Sequence, residues 1–273
     1  MMDASLEEPD AARLEQALVT RQHHGGVSTL TLNRPGQYNA LSSAMLAALQ
    51  QALDDVANDA DTRVVVLAGQ GKAFCAGHDL REMQAHSDIA WQRALFDQCS
   101  RVMMTLSELR QPVIARVHGM ATAAGCQLVA TCDLAIAARS AQFATSGVNL
   151  GLFCSTPAVA VTRNISAKHA ADLLFTGRFI DAETAERWGL VSRSVDDDVL
   201  DVAVHETAAN IAGKSARAIA SGKALLRRQR GSNLAEAYVI ASENMARDMQ
   251  SQDAQSGIRA FIDKEPPPVW RDQ

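Results

Sequence analysis

Two short stretches of this chain offer backbone amides, more than side chains, as chemical groups. The first, Gly71-Lys72-Ala73-Phe74-Cys75-Ala76-Gly77-His78-Asp79-Leu80, follows the apolar run Val64-Val65-Val66-Leu67. Small residues at the end of a strand let a ligand approach the main chain, and Gly77 permits backbone angles that aim the next N–H outward. The N–H of His78 is therefore a candidate donor. The second stretch, Gly119-Met120-Ala121-Thr122-Ala123-Ala124-Gly125-Cys126-Gln127, lies between the apolar run 113–117 and a helix predicted from about residue 123. The first N–H groups of a helix lack internal partners and its dipole favours negative charge there, so the N–H of Ala124 is a second candidate. Either stretch alone reads more readily as a tight turn with close helix packing. Together they have the form of an oxyanion hole, which stabilises an enolate or tetrahedral oxygen in carbonyl chemistry.

Side-chain motifs of other chemistries fail. A phosphate loop needs Gly, four residues, then Gly-Lys-Ser/Thr, but Gly71-Lys72 is followed by Ala73 and preceded at the required place by Val66. No Gly-x-Gly-x-x-Gly follows a strand, and neither His-Glu-x-x-His nor Gly-x-Ser-x-Gly occurs. No metal site is predicted. The polar groups near the two turns are His78, Thr122, Gln127, Ser146, Asn149, Cys154 and Ser155. The His78 imidazole is an acid or base only if it faces the site. Cys154 is a nucleophile only with a base beside it, and otherwise a buried inert thiol.

The elements that position these turns follow from patterning. Residues 17–20 and 27–32 read as a hairpin around His23-His24-Gly25-Gly26. Leu46, Leu49, Leu53 and Val56 recur at helical spacing behind a cap at Ser42 or Ser43. Strand 64–67, helix 89–109, strand 113–117, the small-residue helix and strand 134–138 then alternate, which indicates an α/β core. After Val191 the strands are expected to stop, and from 196 to about 262 the pattern is helical. This divides the chain into a leader (1–15), a core with the site (16–195) and a helical region (196–273) too thin for a generous core of its own. That thinness predicts packing against another subunit.

At 273 residues the chain holds one large domain, or one with an appendage. With 47% hydrophobic and 21% charged residues it matches a globular protein, and a net charge of −5 without a basic stripe makes nucleic acid an unexpected partner. The five cysteines are odd in number and lack paired close spacings. They read as reduced thiols, which, with an acidic N-terminus lacking an apolar or Arg-rich targeting pattern, predicts a cytoplasmic protein. No apolar run reaches the roughly 18 residues of a membrane helix, so no membrane partner is expected.

The stretch 72–80, the stretch 121–133, and Phe175-Thr176-Gly177 through Ala185 to Gly189-Leu190-Val191 resemble the enoyl-CoA hydratase/isomerase (crotonase) family. The resemblance runs from about residue 19 to residue 270. It implies a spiral of repeated ββα units followed by a helical trimerisation region, a homotrimer or dimer of trimers, and no permanently bound cofactor. Coenzyme A enters as part of a thioester substrate whose carbonyl oxygen sits between the N–H groups of His78 and Ala124. It further implies that Tyr38 and Ala40, the backbone of Ala76, His78, Asp79 and Leu80, and Met120 and Ala124 line the substrate path. Phe261 and Lys264 match the element that closes over the adenosine phosphate, where Glu265 replaces a basic residue.

One departure bears on the reaction. Hydratases of this family share proton work between two glutamates; by the resemblance those places are Gln127, three residues beyond the second donor, and Gly147, four before Gly151. A glutamine amide exchanges no proton near neutral pH and glycine has no side chain. The place where some isomerases carry an acid is Ser155. General acid/base catalysis supplies roughly 10²–10⁴-fold, so slow hydration is expected of a family member built this way. Three readings follow: an acyl-CoA enzyme working through enolate stabilisation, a non-catalytic acyl-CoA binding protein or partner subunit, and a thioesterase using Cys154 or an ordered water.

Overall fold

Alternate burial along the parallel strands divides the molecule into two cores. The structure, a computed structural model, describes residues 17–271, so the leader assigned to 1–15 lies outside the described residues. Strands β1 (Val19–His24) and β2 (Val27–Leu32) form an antiparallel hairpin. Both turn residues, Gly25 and Gly26, take positive φ (56° and 79°), as a two-residue hairpin turn demands. β3 (Val64–Gly69), β5 (Val113–Val117), β7 (Leu134–Ala138) and β10 (Arg193–Val195) complete a six-stranded sheet in the order β1-β2-β3-β5-β7-β10, parallel from β2 onward. Every β3 residue is buried. Val65 and Leu67 point into the larger core with helices Ser43–Ala57 and Ile89–Glu108, whereas Val64 and Val66 meet Leu200, Ala203 and Val204 of helix Leu200–Ala212. A strand covered on both faces has no polar side to show, which explains its uninterrupted apolar run.

Each of β3, β5 and β7 is followed by a short neighbour in a second sheet. β4 (Ala73–Cys75), β6 (Met120–Thr122) and β8 (Gln142–Ala144) run parallel, and β9 (Ile180–Asp181) closes the order β4-β6-β8-β9. Strand, short strand, then helix repeats three times, which is the ββα spiral. The short strands escape sequence patterning because so few residues carry no period. The expectation that strands end at Val191 is corrected by β10, whose Arg193, Ser194 and Val195 pair with Ile136, Ala137 and Ala138. A lone apolar residue beside Arg and Ser gives no local signal, so the pairing comes from the exposed edge of β7.

The helices Ala216–Gln229, Leu234–Asp248 and Gln252–Asp263 form the C-terminal region. Lys223 ties it to the spiral: its Nζ donates to Leu106 O (2.9 Å), Gln111 O (3.0 Å) and Asp133 Oδ2 (2.6 Å). Beyond that tether, Leu226, Leu234, Tyr238, Val239 and Met245 leave large apolar side chains on the surface. Among the described residues no helix is long and apolar enough to cross a membrane.

Candidate functional site

Asn39 anchors the first turn. It takes φ 55°, in the left-handed region that Asn tolerates better than most residues, and is fully buried. Its Nδ2 donates to Gln70 O (2.9 Å), Ala73 O (2.9 Å) and Phe74 O (3.1 Å), and its Oδ1 accepts from Arg34 N (2.9 Å). Residues 76–79 then pair with 38–41 like a strand: Ala76 N donates to Tyr38 O (3.0 Å), Leu41 N to Gly77 O (2.8 Å) and Asp79 N to Leu41 O (3.2 Å). Asp79 caps helix Leu80–Ala85 and holds Arg34 at 2.8 Å, so it braces the loop with both oxygens. Burial, the largest single contribution, pushes the Asp79 pKa up, but Arg34 beside it and the cap amides together outweigh it and lower the pKa.

The two glycine-rich turns meet. Gly77 has φ +92°, and a Cβ placed on it would lie 2.9 Å from Ala123 Cβ, 3.0 Å from Thr122 O and 3.2 Å from Ala124 N. Thr122 Oγ1 donates to Ala76 O (2.9 Å), a second tie between them. Ala123 holds φ 48° and ψ −117°, a conformation natural to glycine and costing an alanine about 1–3 kcal/mol. It is this residue, N-cap of helix Ala124–Thr131, that turns the chain so that the Ala124 N–H leads the helix. A Cβ on Gly125 would come within 2.1 Å of Cys75 O, so only glycine lets this helix seat on β4. Neither the His78 N–H nor the Ala124 N–H finds a backbone or side-chain acceptor among the described residues.

Around these amides the side chains are quiet electrostatically. His78 Nδ1 lies 3.4 Å from Leu41 O, its ring meets Phe96 edge-on at 5.3 Å, and its Nε2 is buried without a partner. Burial lowers the imidazole pKa, outweighing Leu41 O and Glu82, so the ring is neutral at pH 7 with Nδ1 as its donor. Glu82 itself faces Ser43, whose N–H and hydroxyl both donate to its carboxylate. Burial pushes the thiols of Cys75, Cys99 and Cys126 up to about 12 and raises that of Cys154. Cys154 Sγ also accepts from Gly147 N (3.3 Å), so it is a structural acceptor and no thiolate.

Gln127 is 4% exposed on the helix face of Ala124, and its amide makes no hydrogen bond among the described residues. Gly147 lies in the turn 146–150, where a Cβ would meet Leu152 O at 2.3 Å and Cys154 Sγ at 2.8 Å. Tyr38 and Leu80 are exposed and Ala40, Ala76 and Met120 half-buried. Phe261 and Lys264 sit at the exposed end of helix Gln252–Asp263, and no hydrogen bond or ion pair joins them to the loops at 38–41 or 76–80. Sequence reasoning misses Ala123, whose strain no residue type announces, and the hub role of Asn39, which follows only from what β4 brings to it. Among the described residues no group of three or more His, Cys, Asp or Glu side chains is placed to hold a metal ion.

This geometry has many counterparts. The crystal structure of an enoyl-CoA hydratase from Mycobacterium smegmatis is 49% identical and superposes with a TM-score of 0.91, covering 92% of this chain and 98% of the other. That of human enoyl coenzyme A hydratase domain-containing protein 3 is 39% identical with a TM-score of 0.90, covering 92% and 99%. Over 96% of this chain and 87% of its own length, the mitochondrial enoyl-CoA hydratase domain-containing protein 3 of Rattus norvegicus is 40% identical. The mitochondrial label on this relative, and on its human counterpart, overturns the expectation of a cytoplasmic protein. All five cysteines are free thiols, but reduced thiols report a reducing milieu without saying which compartment provides it. The family model for enoyl-CoA hydratase/isomerase matches residues 22–273, and with the ββα spiral and these relatives it establishes that the chain belongs to the enoyl-CoA hydratase/isomerase family.

Proposed function

We propose that the chain binds a coenzyme A thioester with its carbonyl oxygen between the N–H groups of His78 and Ala124, and stabilises an enolate there. The observation that carries this reading is the close approach of the two turns, with Ala124 N 3.2 Å from where a Cβ on Gly77 would lie and both amides unclaimed by protein acceptors. Coenzyme A is part of the substrate, running along Tyr38, Ala40, Ala76, Asp79 and Leu80, with Met120 beside the acyl end. The apolar faces of the C-terminal helices support a homotrimer or dimer of trimers, in which Phe261 and Lys264 reach a site on another copy.

The side chains at the proton-transfer places, Gln127 and Gly147, hold no titratable group, so crotonyl-CoA hydration is slow, by about 10²–10⁴-fold against a member with both carboxylates. A thioester whose own carboxylate leaves fits better: the bond to the carboxyl carbon breaks, CO₂ departs, the electron pair becomes the enolate that the two amides hold, and water then gives the α-carbon its proton. Turnover of crotonyl-, malonyl- and methylmalonyl-type thioesters tests this. Carboxylated thioesters should turn over and crotonyl-CoA hardly at all. Rapid crotonyl-CoA hydration overturns the assignment of Gln127 and Gly147, and tight binding of the whole panel without turnover favours a non-catalytic binding protein.

A further inference from the structure

Four arginines line one cleft at the far end of the large sheet. Arg63 and Arg110 precede β3 and β5, Arg217 and Arg247 come from helices Ala216–Gln229 and Leu234–Asp248, and the cavity of about 260 Å³ lies between the spiral and the C-terminal region. The turns at 76–80 and 122–124 follow the opposite ends of the same parallel strands, so a strand's length, roughly 16–20 Å, separates them from the cleft.

These arginines lack counter-charges. Elsewhere Arg21, Arg34, Arg116, Arg139, Arg178 and Arg227 each hold a carboxylate, but none of the four does among the described residues. Arg63 and Arg110 are steered by carbonyls instead, donating to Lys214 O (2.5 Å) and Asp59 O (3.0 Å). Arg217 and Arg247 are exposed and make no side-chain hydrogen bond among the described residues. The one acid lining the cleft, Asp248, spends its Oδ2 on Ser221 Oγ (2.7 Å) and Asn244 Nδ2 (2.8 Å). The first turn of helix Ala216–Gln229 lies in the same wall, and its Ala216 and Arg217 N–H groups have no acceptor among the described residues. Grouped like charges repel and do not serve the fold, whereas the planar fork of arginine matches pairs of phosphate oxygens.

We infer that this cleft is a second ligand site, which binds an organic diphosphate: that of a free nucleoside diphosphate or that of a coenzyme A molecule. Two linked phosphates answer guanidinium groups arriving from both the spiral and the helices, which a single carboxylate does not. Ala60, Ile219 and Ala220 give the uncharged part of the molecule an apolar wall. The inference is independent of the thioester reading, since it uses none of the same residues.

The experiment is calorimetric titration of the full chain with orthophosphate, inorganic pyrophosphate, ADP and coenzyme A. Three proteins are compared: the wild type, the double variant Arg217→Ala/Arg247→Ala, and Arg93→Ala/Arg101→Ala, which removes the same charge from exposed positions outside the cleft. The wild type should bind one ADP per chain, and pyrophosphate more tightly than orthophosphate. The cleft variant should lose about tenfold or more in affinity for both diphosphates, and the control variant less than about threefold. Without ligand the cleft variant should melt no lower than the wild type, because the two side chains it loses hold nothing in place. Coenzyme A identifies the source. A second molecule bound per wild-type chain and absent from the cleft variant makes it coenzyme A; a stoichiometry that the variant leaves unchanged, with ADP binding lost, makes it free nucleotide. Absence of diphosphate binding to the wild type, equal losses in the two variants, or orthophosphate binding as tightly as pyrophosphate overturns the inference, and each leaves the thioester reading untouched.

Discussion

The resemblance assigns proton transfer to the places of Gln127 and Gly147, and the structure treats the two in opposite ways. At Gln127 a full-length side chain is buried, its Oε1 without a partner, three residues along the helix from Ala124. At Gly147 the chain has closed on itself: Leu152 O and Cys154 Sγ take the space that a Cβ needs, and Cys154 Sγ takes the N–H. One site differs from a glutamate by chemistry alone, the other by the course of the backbone. Substitution can put a carboxyl at the first place, whereas at the second the backbone stands in its way.

Three measurements break or sharpen that contrast. The largest effect is expected at Gly147: Gly147→Ala should cost about 1–3 kcal/mol, and Gly147→Glu more, because the 2.3 Å approach to Leu152 O is to backbone. That lowers the thermal midpoint by roughly 3–10 °C. A Gly147→Ala protein melting with the wild type would erase the distinction between the two places. Next, Gln127→Glu should fold, with a penalty that depends on pH. A buried carboxyl without a partner has a raised pKa, so the variant should approach wild-type stability near about pH 4.5 and lose ground as the pH rises. Denaturant titrations at several pH values read this directly, and a penalty unchanged with pH would place the new carboxyl in solvent.

The smallest effect concerns the wild type. Burial lowers the pKa of both His78 and His118 from the ordinary 6.5, so the unfolded chain takes up protons that the folded one refuses. Stability should fall as the pH drops through about 6.5 toward the lowered folded values, and hold above it. His78→Gln should flatten part of that slope in pH-dependent melts; an unchanged slope would mean that the imidazole is solvated.

Much of this is legible in the residues and some is not. The run 64–67, the helix 89–109 and the strand 113–117 are long and patterned, and the observed elements Val64–Gly69, Ile89–Glu108 and Val113–Val117 fall on them closely. Gly77 and Ala124 are visible because a row of small residues at the end of a buried strand leaves the main chain itself as the candidate donor. β4, β6, β8 and β10 are not, since segments that short take their structure from neighbours already in place. The closure at Gly147 is equally hidden, being made by Leu152 and Cys154 folding back across a turn that Gly151 (φ +78°) allows.

Because the two candidate donors are peptide N–H groups, they belong to no side chain. A scan replacing residues 72–80 and 120–127 one at a time by alanine would leave both amides in the molecule, and at Ala123 and Ala124 it would change nothing at all. Such a scan would thus report on packing, as at Gly77 and Gly125, and never on the donors themselves. What would expose it is a backbone edit, such as an amide-to-ester exchange at His78 or at Ala124, which deletes a hydrogen and leaves every side chain as it was.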